Sequence, residues 1–125
     1  MAGDLAGDTG PHARLSAARE QCLAQISALT REHDRVVEAS TASNADDEHD
    51  PEGATIAFER AQVDALLQAA SARLADVEAA LARVADGGYG RCLGCGRTID
   101  TERLLARPAT TWCIDCARLR APRRR

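Results

Sequence analysis

The sequence predicts a mainly α-helical chain: an antiparallel two-helix coiled-coil hairpin with a small C-terminal four-cysteine zinc-finger module. Three observations predict it. Two apolar stripes repeat every seven residues, a short polar and acidic segment separates them, and four of the five cysteines stand in two Cys-x-x-Cys knuckles near the end. Composition agrees. The 125 residues suit one modest domain, and the hydrophobic fraction of 45% is mostly alanine, leucine and valine. Phe58, Tyr89 and Trp112 are the only aromatic residues, so a thick globular core is excluded, whereas alanine and leucine favour long helices.

Residues 1–10 are small, acidic and glycine-containing with no apolar period, and read as a disordered leader. Helical signals begin at Gly10-Pro11, since proline is tolerated in a first helical turn. Leu15, Cys22, Leu29 and Val36 then recur every seven residues, and Arg19, Ile26 and His33 stand four after the first three. The stripe stops at Ser40-Thr41-Ala42-Ser43-Asn44, whose side chains compete for the backbone and favour turns.

The acidic segment Asp46-Asp47-Glu48-His49-Asp50-Pro51-Glu52-Gly53 follows. Asp50 before Pro51 and Glu52 predicts a helix start, because an aspartate caps free N–H groups and acids suit the positive end of the helix dipole. Gly53 leaves a start at Thr55 open. Ile56, Val63, Ala70, Val77 and Val84 form the second stripe, with Leu67, Leu74 and Leu81 four after the middle three, until Asp86-Gly87-Gly88 ends it.

Two such stripes joined by a polar turn bury each other in a hairpin, setting Leu29 near Leu67, Cys22 near Leu74 and Leu15 near Leu81. At 1.5 Å per residue, helices of about thirty residues make a rod of roughly 45 Å. The same stripes also suit pairing between two chains. Arg19, His33 and Arg60 at seam positions weaken a long intermolecular seam and favour a monomer. The expected organisation is a leader over 1–10, a hairpin over 11–86 with its acidic tip at 41–55, a zinc finger over 87–121 and an arginine tail over 122–125.

Cys92-Leu93-Gly94-Cys95 and Cys113-Ile114-Asp115-Cys116 are separated by seventeen residues, a spacing at which each knuckle supplies two thiolates to a tetrahedral zinc ion. No histidine lies between or beside them, so the predicted ligand set is Cys92, Cys95, Cys113 and Cys116. Four thiolates leave no position for water, which makes the zinc structural rather than hydrolytic. Gly94 and Gly96 suit a tight turn around the metal at positive φ. Ile99, Leu104, Leu105 and Trp112 can form only a small satellite core, so the metal supplies much of the stability. Ala117-Arg118-Leu119-Arg120 reads as a short helix stopped by Pro122.

Charge is divided along the chain. Residues 1–90 hold seven arginines against sixteen acids, a balance of −9, and residues 91–125 hold nine against three, a balance of +6. There is no lysine, which fits a compositional bias. The lack of an apolar run of membrane length, the absence of signal-peptide features and the unpaired thiols point to a soluble cytoplasmic protein with no membrane partner.

A helical hairpin, an acidic turn and a four-cysteine module introduced by Gly88-Tyr89-Gly90-Arg91-Cys92 together resemble the DksA/TraR family of bacterial transcription regulators. Tyr-Gly-x-Cys-x-x-Cys-Gly, Ile99, Glu102-Arg103-Leu104, Arg107-Pro108 and Trp112-Cys113-Ile114-Asp115-Cys116 carry the likeness, which covers roughly residues 11–120 and rests on architecture within the hairpin. The resemblance implies binding to RNA polymerase rather than promoter DNA. The hairpin would enter the secondary channel of the enzyme with Asp46, Asp47, Asp50 and Glu52 near the catalytic site. The tip departs from the family's Asp-x-x-Asp-x-Ala pattern: from Asp50 the matching positions are Gly53 and Thr55, and from Asp47 they are Asp50 and Glu52. No response to guanosine tetraphosphate is carried over.

Two other functions fit parts of the chain. The arginine-rich end offers an electrostatic footprint for phosphates, with the hairpin as spacer. Against sequence-specific DNA binding, Arg118 and Arg120 are followed almost at once by Pro122, leaving no clear recognition helix. Oxidation of the thiolates offers redox sensing, which nothing in the sequence demands. Cys22 on the apolar seam reads as a small buried hydrophobe and His33 as structural. Nothing resembles a nucleophile with its base, so no enzyme is expected.

Overall fold

The structure is a computed structural model and describes residues 10–42 and 51–120. The expected leader, most of the tip, including Asp46, Asp47 and Asp50, and the arginine tail therefore lie outside the described residues. Among the described residues four helices follow in order: α1 (Pro11–Ala42), α2 (Pro51–Asp86), α3 (Thr101–Ala106) and α4 (Ile114–Arg120). Among the described residues no helix is long and apolar enough to cross a membrane.

Both long helices begin at proline, whose missing N–H is unpaired in a first turn anyway and whose φ is already helical. Gly53 does not delay α2 to Thr55. Its far end is a Schellman cap: Gly87 takes φ +88°, the Gly88 N–H donates to Arg83 O at 2.9 Å and the Gly87 N–H to Val84 O at 3.4 Å. A side chain at Gly87 would strain this cap, so the glycine fixes where the helix ends.

Two compact units divide the chain. In the unit formed by Glu20–Leu74, the seven-residue stripes supply the buried residues Cys22, Val36, Ile56, Val63 and Ala70. Arg73 Nη1 donates to Gln25 Oε1 at 3.2 Å, and His33 Nε2 lies 3.0 Å from Asp64 Oδ1. These pairs run antiparallel, one or two residues from the expected register. His33 also has Asp34 Oδ1 3.9 Å from Nδ1, so it sits beside two carboxylates that spacing did not foreshadow. Leu29, Leu67 and Leu74 are only half-buried. Two helices share a single contact line, and a ridge beside it stays partly wet.

The other unit holds residues up to Arg19 and from Ala75 onward. Here Leu15, Val77 and Ala80 form a buried cluster, with Ala18, Leu81 and Val84 packed around it. Tyr89 and Ala109, from the cysteine module, pack on the same cluster. The alanines let backbones approach closely enough to exclude water with little side-chain volume. Arg19 Nε bonds Glu78 Oε2 at 3.1 Å, a half-exposed ion pair of the kind contributing at most about 1 kcal/mol. Burial of Leu15 dominates. Leu15→Ala should cost about 2–5 kcal/mol, while Leu23→Ala on the exposed face should stay within about 0.5 kcal/mol. Urea unfolding followed by far-UV circular dichroism checks both.

Candidate metal centre

The first knuckle is built by a short backbone scaffold. Arg91 and Thr98 form an antiparallel bridge, the Cys92 N–H donates to Arg97 O at 2.8 Å, and the Ile99 N–H donates to Gly90 O at 2.7 Å. The loop closes where the Gly96 N–H donates to Cys92 O at 2.9 Å with Gly96 at φ +77°. The second knuckle enters α4 at Ile114, three residues earlier than the helix expected from Ala117. α3 was not anticipated. It returns the chain between the knuckles, and the Leu93 N–H donates to Thr111 O at 2.8 Å, tying the returning stretch of chain to the first knuckle.

This scaffold brings Cys92, Cys95, Cys113 and Cys116 together, with all four Sγ atoms within 4.8 Å of one another. Cys95 Sγ and Cys113 Sγ are 3.9 Å apart, against about 3.8 Å for two thiolates on one tetrahedral zinc with bonds near 2.3 Å. Donor chemistry and size both fit Zn²⁺. Cys22, the fifth cysteine, is fully buried in the helical seam.

Backbone amides point at the sulfurs. Gly94 N and Cys113 N both donate to Cys92 Sγ at 3.3 Å, and Cys116 N donates to Cys113 Sγ at 3.4 Å. Burial pushes the Cys92 thiol up, but the N–H groups of Cys113, Cys95 and Gly94 outweigh it and hold it near a pKa of about 6. Cys116 is pushed up to about 12, first by hydrogen bonding to the Cys113 sulfur, then to that of Cys92, with burial adding to both.

Gly94 is small for a reason other than the one expected. It is not at positive φ; a Cβ there would stand 2.8 Å from Trp112 Cζ3 and 2.9 Å from Cys116 Sγ. The Trp112 ring occupies the space a side chain would need, and Arg120 stacks over that ring at 4.0 Å from its centre. Of the expected satellite core, Ile99 is buried and Leu104 and Trp112 are half-buried, but Leu105 is exposed. Its place on the outer face of the one-and-a-half-turn α3 turns it to solvent. Of the tip residues, Glu52 is described and stands exposed in the first turn of α2.

The profile of the prokaryotic dksA/traR C4-type zinc finger matches residues 87–120. The solved structure of transcription factor DksA2 from Pseudomonas aeruginosa is similar with a TM-score of 0.52 at 26% identity, over 86% of this chain and 82% of that one. Residues 87–120 are thus a match to the dksA/traR C4-type zinc finger, and the fold is similar to that of DksA2. RNA polymerase-binding transcription factor DksA of Escherichia coli is 44% identical over 43 residues, which are 34% of this chain and 28% of DksA. An uncharacterized protein of Aquifex aeolicus is 38% identical over 55 residues, 44% of this chain and 38% of that protein. The chain thus spans well under half the length of these curated relatives. The matched profile is that of a C4-type zinc finger and the four sulfurs stand together, so the cofactor is zinc.

Two outcomes follow from the geometry. Gly94→Ala should weaken zinc binding at least about tenfold, as its methyl displaces Cys116 Sγ or the Trp112 ring; competition with a chromophoric chelator measures it. Zinc uptake at pH 7 should release at least the proton of Cys116, and affinity should fall as pH falls through the Cys92 value of about 6. Calorimetry in buffers of different ionisation enthalpy counts the protons.

Proposed function

We propose that this protein is a zinc-binding transcription regulator that acts on RNA polymerase through the enzyme's secondary channel. In this reading Cys92, Cys95, Cys113 and Cys116 hold one structural zinc, and the acidic segment containing Asp46, Asp47, Asp50 and Glu52 works near the polymerase catalytic site. The likeness to DksA2 carries the proposal, because it extends over 86% of this chain and takes in the helical hairpin as well as the zinc finger. A zinc finger alone would be compatible with many partners. The name of the Escherichia coli relative supplies the partner.

The chemistry supports the same reading. Carboxylates at the tip of a helix pair can act on bound magnesium or on basic side chains, and residues 1–90, which contain the hairpin, carry a net charge of −9, which disfavours DNA as their partner. A closed four-sulfur site has no open coordination position, so the zinc organises the module and takes no part in hydrolysis. The protein acts as a binding regulator with no catalytic step of its own, as a cytoplasmic monomer without sequence-specific DNA contacts.

Binding of the zinc-loaded protein to core RNA polymerase, beside duplex DNA at physiological salt, tests this. Saturable binding to polymerase, displaced by another secondary-channel factor, is the expected result. Binding to DNA alone would move the function to the arginine-rich end. The double variant Asp47→Ala, Asp50→Ala should keep its helicity and zinc content and lose its effect on transcription in vitro; unchanged regulation would remove the tip from the mechanism.

A further inference from the structure

We propose that Thr110, held between Arg83 and Arg103, is the positioning residue that sets the second cysteine knuckle in place for the metal. The inference rests on the reading of the four cysteines as one zinc site. Thr110 stands three residues before Cys113 and touches no sulfur among the contacts described.

Its hydroxyl uses its full hydrogen-bonding capacity of one donor and two acceptor sites. Thr110 Oγ1 donates to Trp112 O at 3.3 Å and accepts from the Trp112 N–H at 3.3 Å and from Arg103 Nη2 at 3.5 Å. Arg103 Nε donates to the same Trp112 O at 2.8 Å. Both backbone polar groups of Trp112 are therefore fixed, one residue before Cys113. From that fixed peptide the Cys113 N–H reaches Cys92 Sγ at 3.3 Å, and the Trp112 ring lies against Gly94 of the first knuckle.

The threonine is itself anchored from two helices. Its carbonyl accepts from Arg83 Nη2 at 3.5 Å, in the last turn of α2, while Arg103 comes from α3. Arg83 and Arg103 are half-buried, and Arg83 Nε is buried with no hydrogen-bond partner among the described residues. Such a placement of a guanidinium costs free energy unless its remaining N–H groups are used. The bond to Thr110 is such a use. The chain of contacts runs from the end of α2 to the Thr110 carbonyl, and from the Thr110 hydroxyl to the peptide before a ligand, as a supporting shell does around a metal.

A pair of near-isosteric substitutions separates hydrogen bonding from packing. Thr110→Val keeps the shape and removes all three hydroxyl bonds; Thr110→Ser keeps the bonds and removes a methyl. With the full-length protein, zinc affinity from chelator competition should fall about tenfold or more in Thr110→Val and stay within about twofold in Thr110→Ser. The visible spectrum of the cobalt-loaded protein should shift only in the valine variant. Arg103→Lys, which keeps the charge but loses the fork, should resemble Thr110→Val and serves if valine prevents folding. Unchanged affinity in both Thr110→Val and Arg103→Lys would overturn the proposal, as would equal losses in the serine and valine variants. An unsubstituted protein holding far less than one equivalent of zinc would instead remove the metal reading beneath it.

Discussion

The cluster of four thiolates is the constraint on which the cysteine module depends. Between residues 87 and 120, Cys92 and Ile99 are the buried hydrophobic residues, and one of these is itself a sulfur of the cluster. A segment of this size cannot offset its conformational entropy with so little buried area. Metal–sulfur bonds supply what area does not, because a site absent from the unfolded chain converts its binding free energy into folding free energy. Cys92 is the point where the two sources meet. It closes the small core and gathers N–H donors from Gly94 and Cys113, so moving it would disturb packing and ligation together.

The long helices solve the same shortage of apolar mass differently. Within each unit a contact line between helices needs only small or aliphatic residues: Cys22, Val63 and Ala70 supply it in Glu20–Leu74, and Leu15, Val77 and Ala80 in the other, without aromatics. In the unit that contains the module, Tyr89 and Ala109 pack on the cluster of Leu15, Val77 and Ala80. Tyr89 contributes twice, for its ring packs on the helices while its hydroxyl donates to Pro108 O at 2.7 Å. The module is thereby held to the last turns of α2 by packing, by the Gly87 cap and by Arg83. Loss of ligation should be felt at that helix end.

What the sequence made legible was local or periodic. Cys-x-x-Cys spacing, proline at both helix starts, Gly87 at the helix end and the heptad stripes each have a short-range physical cause, and the structure places them accordingly. Gly94 answers to space beside Trp112 and Cys116 rather than to a turn, a need that only the folded arrangement shows. His33 with Asp64 and Arg83 with Thr110 lie 31 and 27 residues apart in sequence, and no pattern of spacing announces them. Leu105 failed as a core residue because a helix as short as α3 covers only one side of itself. The acidic tip was legible as composition, and Glu52 alone of its four named residues is among those described.

Charge counting overstates the case for nucleic acid at the C-terminal end. Of the six arginines between residues 91 and 120, Arg91 donates to Gly96 O, Arg103 fixes the Trp112 peptide and Arg120 stacks on the Trp112 ring. Half of the described positive charge thus has a structural partner inside the module, and Asp100, Glu102 and Asp115 stand exposed among the rest. A phosphate-binding face needs cations whose N–H groups point outward together. Guanidinium forks suit the opposite use equally well, since they bind carbonyls and rings of their own chain and lose less rotamer entropy per hydrogen bond than a lysine does. The arginine-rich sequence is then explained first by how a nearly coreless module is held together, and a partner for this end must be argued from the residues that the fold leaves over.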